Sequence, residues 1–113
     1  MHELSLAAEV IRLAEKEAAG NGASVIREIT IEIGALSGVE TDSFQFGLEL
    51  LVKGTILEQS ALDLVRIPGR GRCNGCNREF EMEDRLSACP FCGSLPSLIT
   101  GGQEFRVISM IVE

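Results

Sequence analysis

The 113 residues contain no tryptophan, no tyrosine, one histidine and three prolines. With five phenylalanines as the whole aromatic complement, there is little on which to stack nucleobases. A single histidine leaves no base for a Ser-His-Asp triad and no His-x-x-x-His metal pair. No G-x-x-x-x-G-K-[ST] or G-x-G-x-x-G run opens a helix, so phosphate cradles are missing too, and the chain is not expected to be an enzyme. No apolar run approaches the roughly 18 residues that span a bilayer. The N-terminus also lacks the basic start and apolar core of a secretory signal. The expectation is a cytoplasmic protein with no membrane partner. Basic residues are scarce as well: 10 Lys plus Arg against 17 Asp plus Glu give a formal charge of −7. A long polyanion is repelled by such a surface, which disfavours nucleic acid as a partner.

What is present is 45% apolar residues and 24% charged ones, enough to bury one core in a chain of single-domain length. Cysteine occurs at four positions only, Cys73, Cys76, Cys89 and Cys92, as two C-x2-C pairs separated by twelve residues. In a reducing compartment this spacing reads as a metal site rather than a disulfide framework. Two C-x2-C turns facing each other bring four thiolates to tetrahedral angles, the closed geometry of structural zinc. Asn74-Gly75 and Pro90-Phe91 fill the turns, and Gly93 follows the second pair. Redox dithiols, a disulfide pair and an iron site of the same ligand set are the alternatives. A closed tetrathiolate leaves no position for water, so it holds shape rather than performing chemistry. Between the pairs, residues 78–85 are charged and polar apart from Phe80 and Met82, too little apolar matter to fold alone. Arg70, Arg72, Arg78 and Arg85 balance Glu79, Glu81, Glu83 and Asp84, and zinc with four thiolates takes this module to about −2, a poor footprint for a nucleic-acid-binding zinc ribbon.

The rest of the chain reads as a frame around this module. Leu4, Ala7, Ala8, Ile11, Ala14 and Ala18 share one helical face over residues 4–19, and Gly20-Asn21-Gly22 ends the pattern. Val25, Ile29, Ile31 and Ile33 alternate with polar residues, a strand over 25–33. Thr41-Asp42-Ser43 has the chemistry of an N-cap and Gly54 that of a C-terminal stop, giving a helix over 42–53. Residues 61–67 form a second strand ending at Pro68-Gly69. Residues 105–112 form a third, apolar on both faces, which places it in the middle of a sheet. The order is α-β-α-β, module, β. Residues 68–72 and Gly101-Gly102 read as flexible joints.

His2 stands beside the α-amine of Met1. The amine, the deprotonated amide of His2 and its imidazole close adjacent chelate rings on one ion, and the Glu3 amide or another donor completes a plane suited to Ni(II) or Cu(II). His2 also reads as a solvated residue at a frayed terminus, and Glu3 as a first-turn carboxylate that favours the helix dipole.

The opening Met1-His2-Glu3-Leu4-Ser5, the stretch Glu32-Ile33-Gly34 with Leu36-Ser37 and Val39-Glu40, the module containing Cys89-Pro90-Phe91-Cys92-Gly93, and the ending from Gln103-Glu104-Phe105 to Ile111-Val112-Glu113 together resemble the HypA/HybF family of hydrogenase nickel-insertion proteins. The resemblance runs over essentially the whole chain. It implies an α+β fold: a small mixed three-stranded sheet with two helices on one side, plus an inserted four-cysteine zinc-ribbon-like module. Residues 1–69 and 101–113 would form the nickel-binding frame and residues 70–100 the zinc module. It also implies a metallochaperone that helps deliver nickel to the large subunit of [NiFe]-hydrogenase, working with a GTPase of the same pathway. Met1, His2 and Glu3 would be the nickel donors, and Cys73, Cys76, Cys89 and Cys92 would hold structural zinc. Some relatives supply another histidine near the zinc module; this chain has none, so the fourth nickel donor stays unassigned. The rival readings are a nucleic-acid-binding zinc ribbon and a redox dithiol protein.

Overall fold

The computed structural model describes residues 2–113. In chain order the elements are α1 (His2–Gly20), β1 (Ile26–Gly34), α2 (Thr41–Leu51), β2 (Ala61–Ile67), β3 (Gly69–Cys73), β4 (Glu79–Met82), β5 (Pro96–Gly101) and β6 (Phe105–Val112). They build two three-stranded sheets, ordered β2-β1-β6 and β4-β3-β5. The chain divides into two compact units. One comprises residues 1–31, 40–65 and 107–113, the other residues 32–39 and 66–106.

In the first unit, α1 is rich in Ala, Leu, Glu and Lys, all strong helix formers. Its buried side chains are Ala7, Val10, Ile11, Ala14 and Ala18. The buried stripe is rotated from the one expected: Leu4 is exposed and Val10 is buried in its place. Small alanines on this face admit close packing against α2, where Phe44 and Leu48 are fully buried. Asn21 donates its side-chain amide to the Glu17 carbonyl at 2.8 Å, and Gly22 at φ +70° turns the chain out of the helix. The N-cap of α2 is Glu40, one residue ahead of the expected Thr41-Asp42-Ser43, and its carboxylate accepts from the Ser43 amide at 3.0 Å.

The first sheet is mixed. Ser60 donates to the Ile26 carbonyl near the start of β1, and Ala35 donates to the Ile67 carbonyl just after its end. β2 therefore runs parallel to β1, as a helical crossover requires. Val25 and Glu113 exchange backbone hydrogen bonds, while Gly34 donates to the Glu104 carbonyl, so β6 runs antiparallel. The central strand is β1, whose Ile29 and Ile31 are fully buried. β6 lies at the edge, which corrects its expected place in the middle. Val107, Ile108, Ile111 and Val112 are all exposed, and their apolar character reflects the preference of β-branched side chains for a pleated backbone.

In the second unit, the segment expected to be a flexible joint is β3, the central strand of its sheet. Arg70, Gly71 and Arg72 face Glu81, Phe80 and Glu79 of β4 in antiparallel register, and β5 pairs on the other side. Its glycines serve close approach rather than mobility. A Cβ on Gly34 would sit 2.0 Å from the Gly102 carbonyl oxygen, one on Gly69 2.5 Å from the Met82 oxygen, and one on Gly102 2.4 Å from the Gly69 Cα. Gly102 also has φ +92°, where any side chain adds strain. Gly102→Ala is expected to destabilise the fold by about 3 kcal/mol or more, read as a lowered urea midpoint. Gly20→Ala, with nothing within 4 Å, should leave the midpoint nearly unchanged.

Candidate metal centre

The core of the second unit is small: Leu36, Cys73, Phe80, Met82 and Cys89, with Cys76 and Ile99 packed against it. Phe80 and Met82 reach it because β4 alternates exposed and buried positions. Cys73 and Cys89 are thus part of the core as well as candidate ligands.

The four sulfurs lie within 4.8 Å of one another. Cys73 and Cys92 are 3.3 Å apart and Cys76 and Cys89 3.7 Å. Tetrahedral zinc with Zn–S bonds of about 2.3 Å separates its sulfurs by about 3.8 Å, so the donor set has the number, chemistry and spacing of a tetrathiolate centre. Cys73 and Cys89 are buried, Cys76 is half-buried and Cys92 is exposed.

Two knuckles of the same construction hold the sulfurs. In the first, Gly75 donates its amide to Cys73 Sγ at 3.3 Å, Asn77 donates to the Cys73 carbonyl at 2.8 Å, and Cys73 donates to the Arg78 carbonyl at 2.9 Å. In the second, Phe91 donates to Cys89 Sγ at 3.4 Å, Gly93 to the Cys89 carbonyl at 2.8 Å, and Cys89 to the Ser94 carbonyl at 2.7 Å. Asn77 and Gly93 both take positive φ, 62° and 78°, which turns the chain back over each pair. Glycine at 93 was legible from sequence. Asn77, the equivalent in the first knuckle, was missed, although asparagine tolerates this region better than other side chains. The Arg78 guanidinium lies 4.7 Å above the Phe91 ring, a cation–π contact that joins one knuckle to the other.

Without metal the thiols are unequal. At Cys92, the hydroxyl and then the amide of Ser94, followed by the Cys73 sulfur, stabilise the thiolate and bring the pKa down to about 6. At Cys76 the amide of Arg78 favours the thiolate, but burial and the neighbouring sulfurs of Cys89, Cys73 and Cys92 outweigh it and push the thiol up to about 11. Metal binding must therefore displace a proton from Cys76 at neutral pH, which makes affinity fall as pH falls.

At the other expected site, Met1 lies outside the described residues. His2 is exposed and opens α1, and Glu3 is half-buried in its first turn. The Glu3 carboxylate accepts from the backbone amide of Glu40, the cap of α2, at 3.3 Å. That bond, followed by one from its own amide, lowers the pKa of Glu3. No helix of the described residues is long and apolar enough to cross a membrane.

Fold and cluster define a class: a small α+β protein with a metal site of four cysteine sulfurs on a two-knuckle module. Comparison with known proteins is more specific. The family model described as "Hydrogenase/urease nickel incorporation, metallochaperone, hypA" matches residues 1–112, and the chain belongs to this family. It is 42% identical over 113 residues to the hydrogenase maturation factor HypA of Parabacteroides distasonis, covering all of this chain and 98% of that one. It is 38% identical to the HypA of Azotobacter chroococcum, each chain covered in full. The solution structure of the Ni metallochaperone HypA from Helicobacter pylori matches 97% of this chain and 96% of its own, at TM-score 0.66 and 26% identity. These relatives are named as maturation factors and a metallochaperone, not as enzymes.

Proposed function

We propose that this chain carries Ni(II) at Met1, His2 and Glu3, delivers it to the large subunit of [NiFe]-hydrogenase with the help of a partner GTPase in the cytoplasm, and keeps zinc at Cys73, Cys76, Cys89 and Cys92 for structure. The observation that carries the nickel site is the start of α1 at His2. The first four amides of a helix have no intrahelical acceptor, so the amides of His2 and Glu3 lose their protons to a metal without breaking a helix bond. The Glu3 carboxylate accepts from the Glu40 amide and from its own amide, so a metal at the Glu3 backbone nitrogen displaces a local side-chain contact and no helix bond. Nickel is cargo here. A terminal site built largely from backbone nitrogens and open to solvent releases its ion when the donors regain protons or a better site arrives.

The cysteine centre supports the second half of the reading. Four thiolates with amide donors at their sulfurs suit zinc, and bound zinc supplies structure rather than a reactive water. Residues 1–69 and 101–113 form the nickel-carrying frame in this reading, and residues 70–100 the zinc module. The net charge of −7 weighs against nucleic acid and leaves protein partners. A cell lacking the protein should lose most hydrogenase activity and regain it on addition of nickel salt. The wild-type copy should complement without added nickel, and His2→Ala should not. Complementation by His2→Ala at limiting nickel would refute the terminal site.

A further inference from the structure

Gly47 lies buried in α2, and a Cβ there would sit 3.1 Å from Leu4 Cδ1 and 3.6 Å from Leu4 Cα. The bare backbone at this position brings the first turn of α1 close against α2. Leu4 itself stays outside the core. Beside this contact, Phe46 is 65% exposed, and Leu50, one turn further along the same face of α2, is 46% exposed. Leu51, one turn on from Gly47, is exposed as well. The packing of α2 uses none of the three, since its buried residues are Phe44, Gly47 and Leu48. Single exposed apolar side chains are ordinary, but four gathered where two helices meet form a patch. Its rim is acidic. Asp42 and Glu49, four residues before and three after Phe46, share the exposed face, and α2 contains no basic residue.

We infer that this patch is the seat of the protein that accepts the nickel, which meets it with an apolar pocket rimmed by lysine or arginine. This rests on the nickel-delivery reading above. Leu4 stands two residues after His2 in the same first turn of α1, so a partner seated on it reaches the N-terminal donors. Docking there holds the acceptor's ligands beside the ion at an effective concentration that free diffusion does not supply. The charge of the rim selects the occupant. Asp42 and Glu49 repel the same face of a second copy and attract a basic rim, while Phe46 supplies the central aromatic anchor.

The test measures binding of full-length, zinc- and nickel-loaded protein to immobilised, nickel-free precursor of the hydrogenase large subunit by biolayer interferometry. Phe46→Ala is expected to weaken binding about thirtyfold, the loss typical of a central interface residue. Nickel and zinc per chain and circular dichroism should not change, because the ring is mostly in solvent and alanine is the stronger helix former. Glu49→Lys should weaken binding less, with a loss that shrinks as salt rises. Leu13→Ala, exposed on the opposite side of α1 from Leu4, should bind like wild type. Equal binding by wild type and Phe46→Ala would overturn the inference. A loss confined to binding of the partner GTPase would also overturn it, as would a concentration-dependent dimer that Phe46→Ala abolishes, which would assign the face to a second copy. Failure of the nickel-loaded wild type to bind the precursor at all would instead remove the delivery reading on which the inference rests.

Discussion

His2→Ala should cost the protein at least about a hundredfold in Ni(II) affinity, measured by titration of protein with a free N-terminus, while zinc stays bound. The size follows from the chelate. The amine and the first amide nitrogen close a five-membered ring, and that amide and the imidazole close a six-membered one, so removing the imidazole takes away one donor and the six-membered ring. Loss of an outer-shell partner alone costs 10- to 100-fold in metal affinity, and loss of a donor costs more. Acetylating the α-amine should have an effect of similar size, because the amine no longer binds. Glu3→Gln should weaken nickel far less, since the expected donor is its backbone nitrogen. Affinity should fall as pH falls, because both the imidazole and the amides must lose protons to bind. Equal nickel affinity in wild type and His2→Ala would make His2 an ordinary solvated residue.

The second large effect concerns zinc. Removal by a strong chelator, or the substitution Cys73→Ala, should unfold β3, β4 and β5 while α1 and α2 remain folded. Structural zinc contributes about 10–16 kcal/mol in small modules, more than the total stability of most domains. The core around Leu36, Phe80 and Met82 includes two of the cysteines themselves, so unliganded thiols leave few large side chains to hold the sheet. Core residues of α1 and α2, among them Val10, Ile11, Phe44 and Leu48, belong to the other unit. Amide signals should therefore collapse for residues 69–101 and persist for the helices in a two-dimensional NMR spectrum. Dispersed signals from β3 to β5 in metal-free protein would show that the thiols are ordinary core residues.

The legibility of these features in the sequence follows their physical origin. Local periodicity placed α1, β1, α2, β2 and β6 within a residue or two, because each has one covered face or a strong turn at its end. C-x2-C spacing placed the metal cluster, because two ligands on one tight turn are themselves a local constraint. Long-range features were not legible. Gly69 and Gly102 resemble flexible linkers until Gly34, far away in sequence, is seen packing on the same backbone. The apolar β6 has the composition of a central strand, and its edge position depends on which strand the crossover through α2 pairs with β1. β3 has no apolar side chain between Gly69 and Cys73 to mark it as a strand; its register comes from β4 and β5. At the site, Ser94 carried no sequence signal beyond its offset from Cys92, and only the correspondence of the two knuckles gives that offset meaning.

In the proposed function one chain keeps two metals apart, a fixed one at the cysteines and a transferable one at the N-terminus. Native mass spectrometry of untagged zinc-loaded protein with one equivalent of Ni(II), followed by a step to mildly acidic pH, tests it most directly. One zinc and one nickel per chain are expected at neutral pH, with loss of nickel and retention of zinc after the step. Nickel bound in place of zinc, or both ions leaving together, would contradict it.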